Sequence, residues 1–265
     1  MRNPALKALT AVPVLALVLA GCSTDKDKVE TESGVKLVEE GKLTVCTHLP
    51  YEPFQYNEGG EIVGFDVDLM DLVAKDLGLE QEIFNTPFEG IETGQAMNTG
   101  KCDIAAAGMT ITDERAEVMD FADPYFDATQ ALLVKKGSGI ASLEDLSGKT
   151  LAVQIGTTGE KYAKDNAPED VELKVYEDLA LLVGAAKNGQ VDAAINDNTV
   201  LYDYVADNPD TEVSTEFDTG EQYGFAVAKN GNDELLKTAN EVLAKSREDG
   251  TYDEIYKKYF GDAGQ

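Results

Sequence analysis

The chain has 265 residues, 43% of them hydrophobic, enough to bury one large core or two modest ones. Its 50 Asp and Glu against 22 Lys and Arg give a formal charge of -28, which excludes nucleic acid and anionic membrane surfaces as electrostatic partners and describes an acidic, solvated exterior. Neither a fibrous repeat nor a disordered composition is present.

Residues 1–21 begin with basic Arg2 and Lys7 and continue through an apolar stretch from Ala8 to Ala20. That pattern is a signal peptide rather than a spanning helix. Leu19-Ala20-Gly21-Cys22 resembles the bacterial lipoprotein box, which implies lipidation of Cys22 and export to the outer face of the cytoplasmic membrane, held there by lipid alone. Residues 22–36 are polar and read as a flexible tether.

From residue 37 the pattern is βαβ. Leu43 to Thr47 alternates as a strand, and Pro50-Tyr51-Glu52-Pro53-Phe54 forms a stiff loop carrying aromatic rings. A helix with Leu69, Val73 and Leu77 on one face stops at Gly78. A strand over Glu80 to Asn85 and a single helix over Gly90 to Thr99 lead to Gly100-Lys101-Cys102-Asp103 and a buried strand over Ile104 to Ala107. Gly108-Met109-Thr110 then enters a short helix that Thr112 caps, with Arg115 in its first turn. A cation there opposes the helix dipole, so Arg115 is read as a carboxylate ligand or, alternatively, as one half of a surface salt bridge.

The second series runs through Leu151 to Ile155, the Gly156-Thr157-Thr158-Gly159 turn into a helix, a strand over Leu173 to Tyr176 and a helix over Leu179 to Lys187. Gly189-Gln190-Val191-Asp192-Ala193-Ala194 then echoes Gly100-Lys101-Cys102-Asp103-Ile104-Ala105 at the equivalent place. This predicts an α/β protein of two similar lobes: 37–130 as the first, 131–226 as the second, and 227–265 returning to the first with two C-terminal helices. Strands Ala128 to Val134 and Gln222 to Ala228 are the two crossings of a hinge. Ligands in such sheets lie beyond the carboxyl ends of strands, so facing lobes share one cleft.

Candidates around that cleft are Tyr51, Phe54, Phe65, Gly108, Met109, Thr110 and Arg115 from one lobe, and Thr157, Thr158 and Asp197 from the other. Arg115 with nearby main-chain N–H groups suits a carboxylate and Asp197 an ammonium; together they describe a zwitterion. The lesser alternative for Asp197 is a cap on the helix beginning at Asn198, and the alternative for Tyr51, Phe54 and Phe65 is core packing, with Tyr51 the first choice for ligand because the prolines hold it in a loop. His48 and Glu52 are weaker readers of a ligand side chain, with Glu89 beside them. Cys46 and Cys102 can pair in an oxidising compartment, yet their offset along neighbouring strands predicts a separation beyond disulfide reach, so two thiols and one disulfide both stand. No metal-ligand spacing, cofactor motif or Ser-His-Asp set is present.

Taken together, Pro53-Phe54, Gly64-Phe65-Asp66-Val67-Asp68-Leu69, Thr110-x-Thr112-x-x-Arg115, Phe121-x-Asp123-Pro124-Tyr125 and Gly156-Thr157-Thr158-Gly159 resemble the family 3 solute-binding proteins of ABC amino-acid importers. The resemblance spans Leu43 to Phe260. It implies a type II periplasmic-binding-protein fold acting as a monomer, with a free amino acid as ligand, ABC permease subunits as partners and no cofactor. It further implies that the ligand carboxylate meets Arg115 and main-chain N–H groups near Thr110 and Thr158. The ammonium would meet the carbonyl near Gly108 and Asp197, and Tyr51 and Phe65 would flank the side chain. Where members that bind basic amino acids carry an acid, this chain has His48, which places polar uncharged or acidic ligands first, cystine next and basic ones last. Members often carry serines where this chain has Ala107 and Gly108. A cyclohexadienyl dehydratase on the same fold and a tethered amino-acid sensor are the competing functions.

Overall fold

The computed structural model describes residues 28–31 and 33–261. The segment expected to be a signal peptide, and Cys22, lie outside the described residues. A small antiparallel ribbon, β1 (Val29–Glu30) with β2 (Lys36–Leu37), precedes β3 (Lys42–Thr47). The hairpin β4 (Tyr56–Glu58) and β5 (Glu61–Val63) leads into α1 (Phe65–Asp76), whose Phe65, Leu69, Met70 and Val73 face inward, and then β6 (Glu80–Asn85). The single helix expected over Gly90 to Thr99 is two short ones, α2 (Phe88–Glu92) and α3 (Gln95–Asn98). Gly94 separates them at φ 71°, and a Cβ there would sit 2.9 Å from the carbonyl oxygen of Val118, so the break is set by a close neighbour.

β7 is only Ile104–Ala105, followed by α4 (Asp113–Ala116), β8 (Met119–Phe121) and β9 (Phe126–Lys135). The second series holds β10 (Thr150–Gln154), α5 (Thr158–Asn166), β11 (Glu172–Tyr176), α6 (Leu179–Lys187), β12 (Ala193–Asp197), α7 (Asn198–Asp207) and β13 (Thr211–Tyr223). The chain ends with β14 (Ala226–Ala228), α8 (Asp233–Asp249) and α9 (Thr251–Phe260).

Two five-stranded sheets result, ordered β6-β3-β7-β14-β8 and β11-β10-β12-β9-β13. In each, a parallel βαβ core is completed by antiparallel strands. The crossing strands differ from expectation in one respect: the strand foreseen over Gln222 to Ala228 is divided at Gly224-Phe225 between the two sheets. β9 and β13 pair from Lys135↔Thr211 to Phe126↔Tyr223. The crossings are laced by Ala122 N–H to Phe225 O (2.8 Å) and Tyr125 N–H to Tyr223 O (2.9 Å), with the Tyr125 and Phe225 rings stacked at 4.1 Å.

An aromatic cluster fills the space beside this hinge. Phe54, Phe65, Tyr125, Phe126 and Tyr223 pack with Tyr252, Tyr256 and Phe260 of α9 in edge-to-face, tilted and stacked pairs. Such pairs contribute roughly 0.5–1.5 kcal/mol each beyond their area, which explains why the last helix is rich in aromatic residues. Cys46 and Cys102 are joined, with Cα atoms 5.6 Å apart, so of the two alternatives the disulfide stands, and the separation expected from the offset is overturned. Ala105, not Cys102, lies beside Cys46 in the parallel register, and the chain leaves the strand direction before Ile104. The backbone bends at Lys101 and Asp103, so Cys102 lies outside β7 and within disulfide reach of Cys46.

Candidate functional site

The carboxyl ends of β3, β7, β10 and β12 converge on one narrow cavity between the lobes. His48, Tyr51, Phe88, Ala107, Gly108, Thr110 and Arg115 line it from the first sheet, and Gln154, Thr157, Thr158 and Asp197 from the second.

Arg115 is placed by local sequence. Thr112 Oγ1 accepts the Arg115 N–H at 3.1 Å and starts α4, so the side chain leaves from the first turn toward the cavity. Its guanidinium donates to the carbonyl oxygens of Thr110 (2.7 Å) and, across the cleft, Gly156 (2.9 Å), and lies 5.3 Å above the Phe88 ring. These bonds occupy two of the five guanidinium N–H groups. Burial lowers the pKa of Arg115 from its ordinary value, opposed by the charges of Glu92, Asp197 and Glu221; the group is 6% exposed and makes main-chain bonds rather than a surface salt bridge.

Asp197 ends β12 and is 5% exposed. Although it precedes α7, its carboxylate forms no cap. It accepts from Tyr51 OH (2.6 Å), Gln130 Nε2 (2.5 Å) and the hydroxyl of Tyr223. Burial, and secondarily repulsion from Glu221, push its pKa up to about 6. Two buried groups of opposite charge, from opposite lobes, thus face one cavity while held by neutral dipoles.

Tyr51 reaches Asp197 because Gly108 lets its ring pass: Gly108 is at φ 54°, and a Cβ there would lie 2.7 Å from Tyr51 Cε1. The Gly108 N–H donates to Asp66 Oδ2 (2.8 Å), whose other oxygen accepts from Tyr125 OH (2.7 Å). Burial pushes the Asp66 carboxyl up to about 7. On the opposite wall, Thr157 caps α5 by accepting the Glu160 N–H at 3.1 Å, aiming the first-turn N–H groups of that helix at the cavity. His48 also spans the cleft, its Nδ1 3.0 Å from Thr86 O and its Nε2 3.2 Å from Glu177 O.

Not every candidate reaches the cavity. Phe65 is fully buried in the hinge aromatic cluster, and the ring lining the cavity beside Tyr51 is Phe88. Met109 packs beside the disulfide, and its carbonyl accepts the Gly224 N–H. Glu52 and Glu89 are exposed outside it. Residues the sequence reading passed over are Phe88, Gln154, Gln130, Tyr223, Asn196 and Glu221. Phe88 and Gln154 obey the same strand-end rule that selects Tyr51. Glu221 lies within β13 and carries no local signal.

A two-lobed α/β fold of type II, crossed twice by the chain around a small cleft with a buried cation on one wall and a buried anion on the other, defines a periplasmic-type solute-binding protein. The chain belongs to the bacterial extracellular solute-binding proteins, family 3, whose model matches residues 43–262. It is 34% identical over 262 residues to a probable histidine-binding protein of Neisseria gonorrhoeae (96% of this chain, 95% of the relative). It is 37% identical to the ABC transporter glutamine-binding protein GlnH of Bacillus subtilis, with the same coverage. The solved structure of an ancestral arginine-binding protein bound to glutamine matches at a TM-score of 0.79 and 43% identity, covering 84% of this chain and 100% of that one. The disulfide agrees with an exported, oxidising setting.

Proposed function

We propose that this protein captures a free amino acid between its lobes and delivers it to the permease of an ABC importer, tethered to the membrane by lipid on Cys22. The observation that carries the reading is the pairing of Arg115 and Asp197 across one cavity, each held by neutral groups. A zwitterion supplies each with its counter-ion: its carboxylate joins Arg115 and the amino end of α5, and its ammonium joins Asp197. Closure removes both pairs from water, so a ligand lacking either charge leaves a desolvated group unpaired and does not hold the lobes shut.

The side chain is directed toward Phe88 and Gln154, whereas both ring nitrogens of His48 are already bonded to carbonyl oxygens. Asp197 is the one carboxylate among the lining residues, and it is assigned to the ammonium, so a neutral polar side chain suits the remainder best. Relatives named for glutamine and histidine fall within that class, whereas relatives named for arginine fall outside it.

Calorimetry over the common amino acids tests the reading. Arg115→Ala is expected to weaken binding by about 2–5 kcal/mol, the range for truncating a buried charge pair; unchanged affinity removes Arg115 from the role. Turnover of prephenate by the wild-type protein would replace capture with the dehydratase reading.

A further inference from the structure

A second carboxylate bonds to the cleft lining without being part of it. Glu221 lies on β13, three residues before the chain returns to the first lobe at Gly224. Its Oε2 accepts the Thr110 hydroxyl at 2.8 Å and the Thr158 hydroxyl at 2.8 Å, and Gln130 Nε2 stands 3.2 Å from both of its oxygens. Thr110 belongs to the loop that carries Arg115, whereas Thr158 opens α5 on the opposite wall. One hinge-strand carboxylate therefore binds a hydroxyl from each wall.

We propose that Glu221 is a positioning residue that locks the two walls of the cleft in register by holding the hydroxyls of Thr110 and Thr158. The proposal rests on the capture reading for its ligand readout. A hydroxyl has one proton. With both protons directed to Glu221, neither threonine side chain donates to the ligand carboxylate, which is left to Arg115 and main-chain N–H groups. Gln130 adds a second link, because the same amide nitrogen bonds Asp197 at 2.5 Å. Glu221 is thereby joined through one side chain to the group that takes the ligand's ammonium. Lobe opening must break at least one arm of this three-way contact, so Glu221 favours the closed arrangement even without ligand.

The test uses Glu221→Ala and Glu221→Gln, alone and with Thr110→Val plus Thr158→Val, in the exported full-length domain. Amino-acid affinity is read by calorimetry, and lobe separation by the distance between one spin label on each lobe. Glu221→Ala is expected to lower affinity about tenfold or more, because it strands the buried Thr110 hydroxyl and the half-buried Thr158 hydroxyl, and to lengthen the ligand-free label distance. Glu221→Gln, which keeps an acceptor of the same shape, should recover part of both. In the double-valine background, Glu221→Ala should have little further effect. A merely structural role would lower the melting temperature while leaving affinity and label distance unchanged, and that result overturns the proposal. Additive losses in the valine background overturn it as well. If the wild type binds no amino acid, the capture reading fails, while the ligand-free label distance still decides the role of Glu221.

Discussion

The two lobes carry the same local device in different surroundings. In the first, Asp103 accepts the N–H groups of Val38 (2.7 Å) and Thr44 (2.8 Å) and donates its own N–H to Thr44 O (2.8 Å). In the second, Asp192 accepts the N–H and hydroxyl of Thr150 (both 2.8 Å) and donates to Thr150 O (3.0 Å). Each aspartate pins a threonine of the neighbouring parallel strand, the third residue of β3 and the first of β10, which is why the sequence echo falls where it does. Their charge behaviour is opposite. Asp103 is 1% exposed, and burial pushes its pKa up to about 6; Asp192 is exposed, and its bonds to Thr150 hold it below the ordinary carboxylate range. Short-range sequence fixes a hydrogen-bond pattern, and the cover above it fixes the protonation state.

The same alignment extends to the cleft. His48 and Gln154 each lie four positions past the pinned threonine, and both line the cavity. Gly108 and Asp197 each lie five positions past the pinning aspartate: one wall offers a glycine that admits the Tyr51 ring, the other a carboxylate that binds its hydroxyl. Where the first lobe joins Cys46 to Cys102, the second has buried Ala152 and Val191. Duplicated scaffolding thus supports an asymmetric site, as a zwitterion requires.

Removing the disulfide would break the comparison most. Cys46→Ala with Cys102→Ala should lower the unfolding free energy by about 4 kcal/mol, the chain-entropy value for a loop of 56 residues. A calorimetric loss below about 1 kcal/mol would mean that packing already holds the first lobe as apolar contacts hold the second.

The aspartates give the next largest effect. The folded pKa of Asp103, about 6, lies above its ordinary value of 3.8, so its contribution is fully present below about pH 4 and is lost as pH rises through 6. Asp103→Asn should remove on the order of 2 kcal/mol from the fall in stability between pH 4 and 7. Asp192 is shifted the other way; its contribution is present above pH 3.8 and lost as pH falls through its lowered value, so Asp192→Asn should leave the slope above pH 4 intact. Denaturant titrations at three pH values check both, and equal slopes in the two variants would contradict the burial argument.

The smallest effect belongs to His48, the only histidine in the chain. Because it joins Thr86 O to Glu177 O across the cleft, His48→Ala should weaken ligand binding by about 1 kcal/mol or less. A much larger loss in calorimetry would assign His48 direct contact with the ligand side chain.

Much of this was legible because its causes are local. Thr112 before Asp113 and Glu114 reads as a cap, which fixes where Arg115 leaves the chain. The paired Gly-x-x-Asp runs read as strand starts, and the strand-end rule brought Tyr51, Gly108, Thr157, Thr158 and Asp197 to one place. Other features depend on segments far apart in sequence. Whether Phe65 or Phe88 lines the cavity was decided by α9, whose rings enclose Phe65 some 190 residues away. The disulfide was decided by a turn before Ile104 that no strand spacing reveals. The sequence by itself determined two lobes, a double crossing and a cation facing an anion, because hydrophobic period, caps and glycine stops act over a few residues. Only the tertiary structure decided which rings line the cleft, that Asp197 binds tyrosines instead of capping its helix, and that Glu221 bridges both walls. Those choices depend on which distant backbones pack together and which groups that packing removes from water.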